Sequence, residues 1–487
     1  MAKLKLVEYL SEKFCVMKKD NCSIFVNGLL MYVAKLFFKN KERKDMKKIL
    51  STFITLVLLV GLLAGCSSSS NKNEDAGSKE DSRKKYEGTT LNVLLKTGYE
   101  TEAITEFKDE FEEKTGITLN VEIYDEPTLR NKFILDCNSK KGNYDVVATQ
   151  FWYMPEYIKT GWLEPLNDYN ENKADKEWNS LSNAPESALN MFKDENGTLY
   201  SECVSCTGGV LIYRKDLFEK HGIPVPKTTE DVLEAAKILR EKEPDIYPFV
   251  ARGDSSSGSF GTSAGWAWAY GASVLDLNGN VTCNTPKMSD AMGDFVELMS
   301  EYAPEDSAAM GWDTMSELFR QGKAAMNYDM NGFVSTYAST NVSSVADKID
   351  CTIITGPSGN EAQWMYGEGL GISAFSKNKD AAWLFLQWRN SLEVIEKEVE
   401  KGIRFDFPDN RIYEMDSYKS KTDQIGFFTE KLPEIMKSID NSYWPATEKF
   451  DKVAEAFQQQ ISLAIAGDLT VEEALENAQI AVEDVMK

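Results

Sequence analysis

Histidine is almost absent from this chain and cysteine is thin: 487 residues hold one histidine, His221, and 8 cysteines. So little imidazole argues against a zinc-type site, and no metal or cofactor is expected. The cysteines form no disulfide framework. Cys203-Val204-Ser205-Cys206 is a lone CxxC, readable as a redox pair, half of a zinc site, a local disulfide or two small residues in a tight crossover. No second CxxC follows, which favours the last. Positive charge is short as well, with 54 Lys and Arg against 77 Asp and Glu. Phosphate-backbone binding needs clustered positive charge, so nucleic acid is excluded as a partner. No phosphate loop and no histidine metal motif occurs.

A full membrane-spanning run of ~20 apolar residues is also missing. What is present is shorter. Met46-Lys47-Lys48 is positive, Ile49 to Leu63 is almost wholly apolar, and Leu63-Ala64-Gly65-Cys66 follows. This layout resembles a bacterial lipoprotein signal, in which Cys66 becomes the acylated first residue of the mature chain. An uncleaved anchor is the alternative, and either tethers the protein outside the cytoplasmic membrane. Residues 1–45 fit neither the signal (46–65) nor the body. They are read as an overextended start, with a real membrane-associated segment as the alternative. Residues 66–87 are Ser-rich and polar, a flexible tether. Residues 1–65 carry 12 basic and 5 acidic side chains, which leaves 42 against 72, a net of −30, on the rest.

Apolar order begins at Leu91, leaving a body of about 400 residues. One core usually splits beyond ~250–300 residues, so two domains are expected. Leu91–Leu95, Leu119–Ile123 and Asp145–Ala148 read as strands, with helices through Ile104, Phe107 and Phe111 and through Leu129–Leu135. A second set begins at Val210–Tyr213, continues with helices at Asp216–Lys220 and Thr229–Glu241, and reaches a strand at Tyr247–Ala251. This alternation implies an α/β fold with mostly parallel sheets flanked by helices.

Ligands of such sheets bind beyond the carboxyl ends of strands. The loops there supply Thr97 and Tyr99, then Gln150, Phe151 and Trp152, then Arg252 and Asp254. Phe151-Trp152-Tyr153 is the most telling: three adjacent rings cannot all enter one core, so at least one faces a surface or cleft. A ring offers an apolar face to the C–H side of a sugar.

Several motifs in order, Gly197-Thr198-Leu199-Tyr200, Gly208 to Phe218, and Gly222-Ile223-Pro224-Val225-Pro226, resemble the central signature of the extracellular solute-binding protein family 1, which includes maltose-binding protein. Tyr144–Val147, Gly161–Leu166, Phe319–Met326, Gly369–Ile372 and Thr470–Leu475 resemble further landmarks of it. The resemblance spans about 90–487. It implies a two-lobed receptor of an ABC importer, with a sugar, mono- or oligosaccharide or sugar alcohol, in a cleft at the hinge. The receptor would be a monomer that hands its ligand to the permease subunits and is held to the membrane at Cys66.

The implied lobes are 88–206 with 345–395, and 207–344 with 396–487. The same resemblance brings Asp329, Asn331, Phe333, Glu368 and Trp444 to the cleft, with Phe333 where Trp is common in the family. No catalytic residue is expected. A secreted carbohydrate-active enzyme using a carboxylate pair, or a receptor for a non-sugar solute such as a peptide, is the alternative.

Overall fold

The computed structural model describes residues 83–363, 365–422, 431–439 and 443–487, all within one compact unit, Ala76–Lys487. Residues 1–45, the expected signal at 46–65, Cys66 and most of the expected tether lie outside the described residues. No helix among the described residues is long and apolar enough to cross a membrane.

The strands are β1 (Thr90–Lys96), β2 (Thr118–Tyr124), β3 (Val146–Gln150), β4 (Ser201–Thr207), β5 (Gly209–Arg214), β6 (Tyr247–Val250), β7 (Ala324–Met330), β8 (Ile349–Thr352) and β9 (Tyr366–Ile372). They form two sheets, ordered β2-β1-β3-β9-β4 and β6-β7-β5-β8. Every residue of β3, β4, β5 and β9 is buried. Helices on both faces require that. The α/β class holds, but the sheets are mixed rather than mostly parallel. β1 runs parallel to β2 and β3, and β6 to β7, whereas β9 and β5 run antiparallel to both of their neighbours. The antiparallel strands are those next to the crossovers between sheets.

The helices used below are α1 (Tyr99–Thr115), α2 (Glu126–Ser139), α3 (Met154–Thr160), α4 (Thr229–Lys242), α5 (Phe260–Ala269), α6 (Pro286–Glu301), α7 (Lys379–Arg389), α8 (Leu392–Lys401), α9 (Phe450–Ile465) and α10 (Val471–Met486). Their ends follow sequence chemistry. α1 stops at Gly116, whose φ of 70° suits glycine. Asp125 caps α2 by accepting from Thr128 N at 2.8 Å, and Thr228 and Asp231 close a capping box on α4.

Gly208 alone separates β4 in the first sheet from β5 in the second. Two expected boundaries shift. The return to the first lobe at 345 is too early, because β8 (Ile349–Thr352) hydrogen-bonds to β5 in the second sheet. The departure at 396 is too early as well. α8 stays on the first lobe through ion pairs Lys114–Glu393, Lys397–Glu110 and Lys401–Glu106 with α1, and Ser205 of β4 donates to Asp406 at 3.3 Å. α9 and α10 then pack against α6 of the second lobe.

β9 carries Gly367, Gly369 and Gly371 at alternate positions, so one face is bare. A Cβ there would come within 2.4 Å of Met191 Sδ, 2.9 Å of Phe192 Cε1 and 2.9 Å of Leu163 Cδ2 respectively. The side chains covering the sheet lie directly on the strand.

Candidate functional site

β1 and β3 end side by side, and β9 begins beside β3, with Gln150 opposite Glu368. Lys96, the last residue of β1, reaches Glu368 at 2.9 Å and donates to the Tyr366 hydroxyl at 2.6 Å, which in turn donates to Glu368 at 2.5 Å. Burial pulls the Lys96 ammonium down, but Glu368, Glu100 and Glu126 outweigh it and hold it above its ordinary value. Glu100, on the first turn of α1, is pushed up to about 7, first by burial and then by Glu368, against Lys96 and Arg404.

Two buried polar groups at this end of the sheet have no partner among the described residues: both amide atoms of Gln150, which is 0% exposed, and Glu100 Oε1. Buried polar atoms are normally paired. Beneath them Arg389 and Arg404 grip Glu398 at 2.6 and 2.9 Å, all buried, and Arg389 donates to the Glu100 carbonyl at 3.2 Å. This network fixes the backbone that carries Glu100.

Across from these groups the second lobe presents Trp444, Phe450 and Phe260, in mutual contact at 5.3–5.7 Å. Rings of the two lobes meet. Phe151 lies 5.0 Å from Trp444, and Trp152 lies 6.3 Å from Trp444 and 6.1 Å from Phe450. Trp152 also contacts Tyr366 at 5.7 Å. A cavity of about 610 Å³, a volume common for ligand pockets, is lined by Phe151, Trp152, Met154, Met191 and Trp444 among others. Trp444 Nε1 is buried without a partner among the described residues.

On the second sheet Arg252, just beyond β6, makes a bidentate pair with Asp329 of β7 at 2.8 and 2.9 Å, both side chains buried. Asn331 accepts from Gly208 N at 2.7 Å across the crossover, and its Nδ2 has no partner among the described residues. Asp254 accepts from Ser256 and Ser259 and so shapes its own loop. Phe333 stacks on Tyr337 at 5.7 Å.

The structure therefore brings Gln150, Phe151, Trp152, Glu368 and Trp444 together. Thr97 is exposed and its hydroxyl donates to Tyr124 O at 3.3 Å, and Tyr99 opens α1. Arg252, Asp254, Asp329, Asn331 and Phe333 lie at the ends of β6 and β7, where most of their polar groups are used by one another or by nearby backbone. Lys96, Glu100 and Tyr366 are the residues sequence reasoning missed. Strand alternation beyond Leu95 is the signal, since it puts Lys96 on the same face as Leu94.

Cys203 and Cys206 are free and buried in β4, beside a bulge between Cys203 and Ser205. His221, whose turn reads as surface, is mostly covered and meets Glu243 at 2.6 Å. The pattern Gly261-Thr262-Ser263-Ala264-Gly265 has the spelling of a nucleophile elbow, but Ser263 lies inside α5, buried, donating to Gln458 at 2.6 Å. No strand-to-helix turn exposes it. Among the described residues no group of His, Cys, Asp and Glu is arranged to hold a metal ion.

The model of the bacterial extracellular solute-binding proteins matches residues 97–393, more than half of the chain. The chain belongs to this family. The solute-binding protein is 23% identical over 419 residues to the erythritol/L-threitol-binding protein of Mycolicibacterium smegmatis, covering 80% of this chain and 86% of that one. It is 25% identical to an ABC transporter solute-binding protein of Agrobacterium vitis S4 solved with D-mannitol, with a TM-score of 0.72 over 82% of this chain and 98% of that one. A ribitol complex from Agrobacterium radiobacter K84 gives 25% identity and 0.73 over 82% and 99%. These neighbours carry the two-lobed periplasmic-binding fold, and they are binding proteins rather than enzymes.

Proposed function

We propose that this solute-binding protein captures a sugar or sugar alcohol in the cleft between its lobes and delivers it to the permease of an ABC importer, with no catalytic step. The observation that carries the reading is Gln150. Its amide is fully buried at the end of β3 with neither nitrogen nor oxygen bonded among the described residues, and the chain runs from it directly into Phe151 and Trp152, whose rings meet Trp444. An amide offers two donors and an acceptor, and rings offer apolar faces, which is the pairing that a polyhydroxylated carbon chain or ring presents in return. Relatives named for erythritol and solved with mannitol and ribitol support the same chemistry.

The protein acts as a monomer, extracytoplasmic, and is tethered to the cell membrane through an acylated Cys66. A thermal-shift screen over mono-, di- and oligosaccharides, sugar alcohols and peptides tests the ligand class. A ligand at 100 times its Kd adds about 2.7 kcal/mol of stability. Shifts confined to peptides, or turnover of an oligosaccharide during incubation, would overturn the reading.

A further inference from the structure

We propose that closure of the cleft is coupled to uptake of a proton by a carboxyl–phenol–carboxyl bridge, Glu126–Tyr153–Asp451, that joins the two lobes. The Tyr153 hydroxyl lies 3.0 Å from Glu126 Oε1 and 3.3 Å from Asp451 Oδ1. Glu126 begins α2 of the first lobe, and Asp451 is on the first turn of α9, which packs on α5, α6 and α10 of the second. The bridge is therefore an interlobe contact. A phenol has one hydrogen and can donate to one carboxylate at a time. The second contact is a hydrogen bond only when that carboxyl is protonated and donates to the phenol oxygen. With both carboxyls ionised, two negative charges converge on one hydroxyl.

The surrounding charges leave the extra proton in place. Lys96 of β1 attracts Glu126, but it is committed to Glu368 of β9, which repels Glu126 in turn. Arg130 of α2 attracts Asp451 and lies over the Tyr153 ring at 4.5 Å, but its guanidinium is paired with Glu156 of α3 at 2.6 Å. Tyr157 of α3 also faces Arg130. Burial is the largest influence on both carboxyls and pushes each up. Once the lobes separate, Asp451 leaves with the second lobe, Tyr153 donates to Glu126 alone, and the extra proton is no longer held. A further interlobe pair, Lys159–Glu448 at 2.6 Å, is exposed, where an ion pair contributes little to closure.

The sign follows from linkage. The carboxyls bind a proton more tightly in the closed form, so closure is favoured at low pH and is lost as pH rises through their closed-state values. One proton per closure changes the closing constant by at most about tenfold per pH unit. The inference rests on reading the chain as a receptor that closes, and it predicts when it does so.

The test uses the ligand-free full chain with fluorophores encoded at exposed Leu135 and Leu277, one on each lobe. Energy transfer should report a shorter interlobe distance at pH 5.5 than at pH 8.5. Asp451→Asn, which supplies a permanent donor, should stay closed at both, and Tyr153→Phe should lose the pH response while keeping its ring. A wild-type distance that ignores pH, or an Asp451→Asn variant that keeps the full response, overturns the bridge. D-Mannitol is then added at each pH. Binding without any pH response leaves the receptor reading intact and sinks the bridge. A pH response in a chain that binds nothing from the sugar and sugar-alcohol panel sustains the bridge and sinks the ligand reading.

Discussion

Removing the Trp152 ring separates binding from folding, because this side chain touches both lobes. Within the first lobe it meets Phe151, Tyr153 and Tyr366 at 5.2–5.9 Å. Across the cleft, among the described residues, its ring meets those of Trp444 and Phe450. An aromatic pair contributes ~0.5–1.5 kcal/mol beyond its buried area, so the two crossing pairs favour the closed form by ~1–3 kcal/mol. At about 1.4 kcal/mol per factor of ten, Trp152→Ala should weaken closure roughly fivefold to 150-fold. Any face the indole offers the ligand is lost in addition, so an apparent Kd at least tenfold weaker is expected.

The empty protein should be affected far less. Trp152 is only partly buried, and a Trp truncation costs ~3–5 kcal/mol only when the ring is enclosed. Isothermal titration with the sugar alcohol that gives the largest thermal shift measures the first effect, and calorimetric melting of the ligand-free variant measures the second. A variant that melts much lower yet binds with unchanged Kd would refute the reasoning, and Trp152 would then be a buttress for α3.

Three further outcomes are expected. Gln150→Leu removes a buried amide that no described residue bonds, so the ligand-free melting temperature should hold or rise while Kd weakens at least tenfold; calorimetry and titration on one sample check both. Cys66→Ser should move the protein from the membrane fraction to the medium or leave an uncleaved precursor; a processed chain still retained on membranes would count against acylation. Glu202 is pushed from 4.5 up to about 7 by burial. Its contribution to stability is therefore complete below pH 4.5 and falls, by about 3 kcal/mol at most, as pH rises to 7; Glu202→Gln should flatten that part of a melting-against-pH curve.

The strands and the larger helices were legible because burial imposes period: β1, β2 and β3 lie within about two residues of their apolar runs, and α4 runs from Thr229 to Lys242 where its cap and spacing place it. The lobe boundaries at 345 and 396 were not legible. Whether Ile349–Thr352 pairs with β5 or with a strand of the first sheet is decided by neighbours more than a hundred residues away. The site divides in the same way. Trp152 announced itself through a local contradiction, three rings in a row. Lys96 did not, because its meaning comes from Glu368, far along the chain and brought beside it only by sheet order. Arg252 and Asp329 looked like ligand contacts one at a time. Only the parallel pairing of β6 with β7 shows that they take each other.

The bare face of β9 has a bearing on how reliably the cleft is assembled. A strand that slips by one residue exchanges its two faces. In β9 the slip would drive Glu368, Leu370 or Ile372 into the places where Met191, Phe192 and Leu163 leave room for no more than a hydrogen atom. A misthreaded strand is therefore expelled by steric collision rather than tolerated as a near miss. The glycines act as a key cut for one lock, and the carboxylate that faces Lys96 is delivered to its position by residues that have no side chains of their own.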